Sequence, residues 1–228
     1  MEYKMNRAWA EINLDNIACN VQEIRKITNK KAEIMGVVKA DAYGHGVMEV
    51  VQTLLDNGVT RLAVAMLDEA IQLRMLGVDV PILILGYTDP VNAEDIIKND
   101  ITQTVFSYDF AKVLSDAAVK LGKSVKIHIK IDTGMTRIGF TPGDSAIKSI
   151  IEISKLPGII IEGLFTHFAS ADEIDKSYTY MQFEKFMNLC GALDDAGVHI
   201  PIKHVCNSAA IIEFPEMHLD LVRPGIML

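Results

Sequence analysis

One lysine in this 228-residue chain stands where a lysine can do more than carry charge. Lys39 follows the apolar run Ile34-Met35-Gly36-Val37-Val38 and precedes Ala40-Asp41-Ala42-Tyr43-Gly44-His45-Gly46, a glycine-punctuated turn into an amphipathic segment at 47–55. In a parallel α/β protein the C-terminal edge of the sheet is where chemistry is done. Apolar surroundings favour the neutral form of lysine, and a neutral amine can attack a carbonyl carbon to form a Schiff base. The plainer alternative is a packed stem with its ammonium in water. The stretch 125–132 is the second candidate. Val125, Ile127, Ile129 and Ile131 alternate there with Lys126, His128, Lys130 and Asp132. A strand buried on both faces reads as continuously apolar. Four ionisable groups on one face therefore fit either a barrel interior beside a site or the solvated face of an edge strand.

Short apolar runs and helical patterns alternate along the chain and position these residues. Strands are expected at 33–39, 61–66, 81–86, 101–107, 125–132, 159–167, 203–207 and 219–224. Helices are expected at 46–57, 67–76, 90–98, 108–121, 144–155 and 176–196, with a short one at 208–213. A further helix near 14–29 precedes the first strand. Its Leu14, Ile17, Val21 and Ile24 fall at helical spacing, and Asn13 or Asp15 is placed to cap it. In the long helix near 176–196, the stripe Tyr180, Phe183, Phe186, Met187, Cys190 and Leu193 reads as an apolar face packed on the sheet. Parallel strands need crossover helices, so eight strands separated by helices point to a (β/α)8 barrel, with a doubly wound open sheet as the alternative.

Half the residues are hydrophobic, enough for a single α/β domain over 1–228. The formal charge of −8 argues against nucleic acid, which needs a basic face. Cys19, Cys190 and Cys206 form no CxxC pair, which suggests a reducing, cytoplasmic setting and no zinc site. The N-terminus is charged and polar, unlike a signal peptide, and no apolar run is long enough for a membrane helix.

Lys39-Ala40-Asp41-Ala42-Tyr43-Gly44-His45-Gly46 resembles the cofactor-lysine motif of the alanine racemases, which use pyridoxal 5'-phosphate (PLP). Four more blocks agree in order. They are Lys130-Ile131-Asp132-Thr133-Gly134-Met135-Thr136-Arg137-Ile138-Gly139, Thr166-His167-Phe168-Ala169-Ser170-Ala171-Asp172, Cys206-Asn207-Ser208-Ala209-Ala210 and Val222-Arg223-Pro224-Gly225-Ile226-Met227-Leu228. Five such blocks from about residue 6 to the end form a specific signature, and the resemblance favours the barrel over the open sheet.

The resemblance implies that Lys39 carries PLP and acts as one of two bases on the substrate α-carbon, with Tyr43 reaching the phosphate. Ser208 and the backbone of Gly225 and Ile226 match the remaining phosphate contacts, and Asn207 is a further cofactor-binding position. Arg223 matches the arginine facing the pyridine nitrogen, a guanidinium that leaves that nitrogen unprotonated and so restrains transamination. An ion pair with Asp220 or Glu213 is its structural alternative. Arg137 matches a residue near the ring oxygen and the substrate carboxylate, and Lys130 a lysine often carbamylated to brace it. His167 matches the histidine that positions a catalytic tyrosine, and His204 a partner of the arginine at Arg223. No metal site is expected.

Alanine racemases also have a mostly β C-terminal domain, which supplies the opposing tyrosine base across a head-to-tail homodimer. This chain ends directly after the expected eighth strand, so neither that domain nor an eighth crossover helix lies within it. The expectation is an N-terminal barrel that binds PLP yet racemises weakly alone, with helix 14–29 covering part of the gap. The substrate expected is an amino acid, alanine or serine. Two alternatives stay open: a free-standing PLP-homeostasis barrel, and a metal-dependent hydrolase built on Lys130, His128, His167 and Asp220.

Overall fold

The eight apolar stretches become parallel strands in a computed structural model that describes residues 8–228. They are β1 (Glu33–Val37), β2 (Arg61–Val64), β3 (Ile82–Ile84), β4 (Thr102–Val105), β5 (Val125–Lys130), β6 (Ile159–Phe165), β7 (Ile202–His204) and β8 (Leu221–Val222). They hydrogen-bond in the order β7-β6-β5-β4-β3-β2-β1-β8, so the last strand returns to the first. Two backbone bonds, from Asp220 N–H to Lys203 O and from Arg223 N–H to Cys206 O, both 3.1 Å, join β7 to β8. The sheet is thus a nearly closed barrel, not an open doubly wound sheet.

The sequence pattern overruns several ladders at their C-terminal ends. Residues 38–39, 65–66 and 166–167 lie beyond β1, β2 and β6 at the barrel rim, where Lys39, Ala65 and His167 line the cavity.

Helices alternate with the strands on the outside. α1 (Leu14–Ile27) starts on Asn13, whose Oδ1 accepts the Asn16 N–H at 3.1 Å, which decides between the two capping candidates. It buries Ile17, Val21 and Ile24, packs on α3 (Val47–Asp56) and touches α9 (Ser208–Glu213). Asn20 Nδ2 also donates to Leu228 O at 2.9 Å. The first helix therefore covers the barrel where its last and first strands meet.

A short left-handed turn, α2 (Lys39–Gly44), follows β1, and α4 (Leu67–Met75), α5 (Ala93–Lys98), α6 (Tyr108–Leu121), α7 (Asp144–Ser154) and α8 (Ser177–Asp195) complete the ring. The bounds of α6 coincide with those read from the sequence, because Ser107 caps its start and Gly122, at φ 62°, supplies the left-handed stop. The 90–98 segment divides into a 3₁₀ turn, Pro90–Asn92, and α5. In α8 the expected stripe is partly wrong: Tyr180 and Met187 are exposed, and Thr179 and Gln182 are buried in line with Phe186, Leu189, Cys190 and Leu193.

The barrel interior is divided by chemistry. Met35, Val37, Ala63, Leu83, Ile202 and Leu221 form an apolar cluster on one side. Thr104, His128, Lys130 and His204 are buried on the other, with Thr104 opposite His128 and Lys130 in line with His204 through Phe165 of β6. The alternating strand thus turns its ionisable face inward, while Val125, Ile127 and Ile129 pack under the helices. No helix among the described residues is long and apolar enough to cross a membrane.

Candidate active site

Lys39 leaves β1 on a backbone that L-amino acids avoid. Ala40, Asp41, Ala42 and Tyr43 hold φ of 50°, 55°, 51° and 57°, one turn of left-handed helix without a glycine. Such a turn costs roughly 1–2 kcal/mol per residue in isolation, so its surroundings must hold it. The Ala42 N–H bonds Val38 O at 3.0 Å and the Gly46 N–H bonds Asp41 O at 3.1 Å. Asp41 Oδ1 accepts the Val47 N–H at 2.7 Å, which ties the turn to α3. Glu69 Oε1 accepts the Ala40 N–H at 2.6 Å, while its Oε2 takes Ala65 N–H at 2.7 Å and Met66 N–H at 3.1 Å. The turn brings the Lys39 ammonium to 5.8 Å from the centre of the Tyr43 ring.

The C-terminal ends of β1, β5, β6, β7 and β8 surround a cavity of about 780 Å³. Lys39, Tyr43, Lys130, Arg137, His167, Asn207, Ser208, Arg223, Gly225 and Ile226 all line it, so every site residue expected from the sequence except His204 meets the same space. His204 lies one layer below, fully buried, with its Nδ1 2.7 Å from Arg223 Nη1. Arg223 Nη2 donates to Thr166 O at 2.9 Å and Val205 O at 3.1 Å. Asp220 accepts from Lys203 N–H and Glu213 pairs with Lys176, so neither neutralises Arg223. Burial lowers the Arg223 pKa to about 10, which still leaves the guanidinium charged at neutral pH.

Arg137 rides on a loop organised by Asp132. Its Oδ1 accepts Gly134 N–H at 3.0 Å and Thr136 N–H at 2.9 Å, and its Oδ2 accepts the N–H of Arg137 itself at 3.2 Å. Lys130 is buried below that loop, donating to Ile131 O at 2.8 Å and lying 5.5 Å from the Phe165 ring centre. Burial, then the nearby charge of Arg223, lowers its pKa to about 7. His167 is held by its backbone: Gln182 Nε2 donates to His167 O at 3.2 Å and Gln182 Oε1 accepts Ala169 N–H at 2.9 Å. These two bonds keep the polar Gln182 on the inner face of α8. Burial, followed by the cations Arg223, Arg137, Lys130 and Lys39, lowers the His167 pKa to about 3 and keeps the ring neutral.

Tyr43 and the segment after β8 approach closely at the other end of the cavity. A Cβ on Gly225 would lie 2.4 Å from the Tyr43 hydroxyl oxygen, so only glycine admits that phenol. Ser208 Oγ accepts the Gly225 N–H at 3.0 Å, and burial raises the Tyr43 pKa. Asn207 lines the cavity and also caps α9. Its Oδ1 accepts the Ala210 N–H at 3.0 Å and its Nδ2 faces Phe168 O at 3.5 Å, so its amide serves to start α9 and present Ser208.

The donor set fits PLP. Lys39, Arg137 and Arg223 share the cavity with one lining carboxylate among the described residues, Asp172. Hydroxyls and a glycine cradle stand at one end, and the buried guanidinium stands at another as a permanent donor suited to a pyridine nitrogen. The hydrolase set does not assemble. Lys130 and His167 reach the cavity, but His128 bonds His204 and Glu162 below it, and Asp220 accepts from the Lys203 backbone. Glu69 and Gln182 carry no local sequence signal for their supporting roles, since each acts on backbone N–H or carbonyl groups.

The family model "Alanine racemase, N-terminal domain" matches residues 12–228. The alanine racemase of Clostridium perfringens is 54% identical over the whole chain, which spans 58% of that protein. The solved alanine racemase of Clostridium difficile 630 superposes with a TM-score of 0.94 at 50% identity, over 96% of this chain and 57% of its own. A complex of the alanine racemase of Clostridium difficile 630 with cycloserine gives a TM-score of 0.95 at 48% identity, over 98% of this chain and 62% of its own. The chain thus spans less than two thirds of the relatives it matches.

Proposed function

The chain belongs to the alanine racemase family, whose N-terminal domain it matches, and we propose that it is the PLP-binding barrel of an enzyme interconverting L- and D-alanine. The convergence of Lys39 and the buried Arg223 on one cavity carries the reading. When bound, PLP draws electron density from the substrate α-carbon and so acidifies its hydrogen.

Lys39 anchors the cofactor and moves the proton on one face of that carbon. Tyr43, Ser208, Gly225 and Ile226 hold the phosphate. Arg223, which keeps its proton, would donate to the ring nitrogen and leave it unprotonated, making the cofactor a weaker electron sink and so restraining transamination. Arg137 binds the substrate carboxylate and the ring oxygen. A carbamate on Lys130 would convert a repelling neighbour of Arg137 into an acceptor. Neutral His167 orients the base on the opposite face, in this family a tyrosine that a second domain supplies across a homodimer. D-alanine made this way serves peptidoglycan precursors in the cytoplasm, a setting consistent with three free cysteines. The Lys130–Arg137 block and the family match favour this reading over a PLP-homeostasis protein.

Proton NMR in D2O tests it. With PLP, the chain is expected to remove the α-proton signal of L-alanine, and Lys39→Ala is expected to leave it intact. Faster loss from L-serine would reassign the substrate. Borohydride reduction that fixes PLP to a lysine other than Lys39 would overturn the cofactor assignment.

A further inference from the structure

A file of buried side chains descends the inside of the barrel from the cavity. Arg223 Nη1 lies 2.7 Å from His204 Nδ1, His204 Nε2 lies 2.8 Å from His128 Nδ1, and His128 Nε2 lies 3.1 Å from Glu162 Oε2. The same Glu162 oxygen accepts from Arg61 Nη1 at 2.9 Å, and Arg61 Nε pairs with Glu33 at 2.9 Å near the barrel's other end. Both imidazoles are fully buried, and Phe165 stacks on His204 with centres 4.7 Å apart and planes 4° apart. The chemistry proposed above uses only the top of this file.

Hydrogen counting gives the file one direction. A guanidinium has donors only, so the bond to Arg223 forms only when His204 accepts at Nδ1 and carries its hydrogen on Nε2. That hydrogen occupies His128 Nδ1, which leaves the His128 hydrogen on Nε2, against the Glu162 carboxylate. The reverse sense would set an Nδ1–H of His204 against the guanidinium, donor to donor. A carboxylate can only accept, so Glu162 selects the sense that Arg223 needs.

The sheet is built to deliver that carboxylate. β5 and β6 pair in step up to Ile127 with Ile161, then resume at His128 with Gly163, which leaves Glu162 as the extra residue of a bulge. Bulges re-aim side chains, and this one turns Glu162 into the barrel. A Cβ on Gly163 would lie 2.4 Å from His128 Nδ1, so glycine at that position makes room for the ring.

We propose that Glu162 is a positioning residue for the cofactor site, fixing through His128 and His204 the tautomer that holds Arg223 in place. Only the last link, from Arg223 to the ring nitrogen, rests on the PLP reading. Burial, foremost, keeps both rings neutral against the hydrogen bond from His128 to Glu162. The charged groups around the file are Arg61 and Lys126 at Glu162, and Arg223 and Lys130 near His204.

¹⁵N NMR of the full chain labelled at the histidine ring nitrogens, without cofactor, tests this between about pH 6 and 8. Wild type and Glu162→Gln, which keeps an acceptor oxygen, are expected to show both rings as the neutral Nε2–H tautomer. Glu162→Leu is expected to populate Nδ1–H at His204 and to weaken PLP binding roughly tenfold, as loss of an outer-shell partner does in metal sites. Glu162→Gln is expected to bind PLP nearly as wild type does. An unchanged tautomer in folded Glu162→Leu overturns the proposal. So does Nδ1–H or a cationic ring at either position in wild type, a reading that needs no variant to fold. Failure of wild type to bind PLP would instead count against the cofactor assignment, which the tautomers do not depend on.

Discussion

The Glu69 carboxylate accepts the backbone N–H of Ala40 at 2.6 Å, across 29 positions of sequence, and thereby holds the residue that follows Lys39. Its second oxygen binds the start of α4 through Ala65 and Met66. One side chain thus ties the left-handed turn to the neighbouring strand end. Glu69→Ala is expected to cost about 1–3 kcal/mol in urea unfolding, the range for losing hydrogen bonds to a charged acceptor. Since the turn aims Lys39, PLP affinity should fall as well. A variant that loses stability and keeps full PLP affinity would show that the turn holds its shape without Glu69.

Gly163 faces the His128 ring so closely that any side chain must displace it. Gly163→Ala is expected to destabilise by about 1–3 kcal/mol, as overpacking does in closed cores, read as a lower midpoint of thermal unfolding. An unchanged midpoint would mean that the bulge at Glu162 can slide to admit the methyl group.

The sequence discloses groups whose type and position announce them and conceals groups that act on the backbone. Lys39, Arg137, His167, Ser208 and Arg223 sit in short ordered blocks at strand ends, and all reach one cavity. Asn207 is in a block too and lines the same cavity, while its Oδ1 also caps α9. Glu69, Gln182 and Glu162 lie inside ordinary helical or strand patterns, where a carboxylate or amide reads as surface polarity. The left-handed turn is equally silent, because alanine at positions 40 and 42 carries no preference for positive φ. Strand lengths mislead for the same reason: apolar residues continue past the ladder where they line the rim.

Lys130 gives the protein a pH signature. Its folded-state pKa is lowered to about 7, by burial first, from an ordinary 10.5 when unfolded. Between those values the unfolded chain holds a proton that the folded chain lacks, so stability rises as pH climbs through that window. Below about pH 7 the penalty for a buried ammonium is fully present. Lys130→Met is expected to be more stable than wild type at pH 7, with the gap closing towards pH 10, in paired urea titrations. Carbamylation would remove the effect, and ¹³C-bicarbonate would then give a carbamate signal that Lys130→Met lacks. A constant difference across pH, without that signal, would place the amine in water.

Arg223 is where structure and proposed chemistry are most tightly joined. Its Nη2 already satisfies Thr166 O and Val205 O, and its Nη1 satisfies His204, so the group cannot turn away from the cavity without stranding three acceptors. Arg223→Glu removes those donors and is expected to lower the unfolding midpoint. It also places an acid against the ring nitrogen, where a shared proton would spread charge from the α-carbon into the ring and favour transamination. In enzyme bearing both bases, pyruvate formed from alanine should rise relative to D-alanine by about tenfold or more, the effect of some 1.4 kcal/mol in relative barriers. Arg223→Lys separates the two effects, because it keeps a cationic donor while losing the planar fork. It should lose stability and affinity for PLP with little change in the product ratio. Equal ratios in wild type and a folded, PLP-bound Arg223→Glu would show that the guanidinium is there to brace the loop after β8 and not to set the protonation of the cofactor.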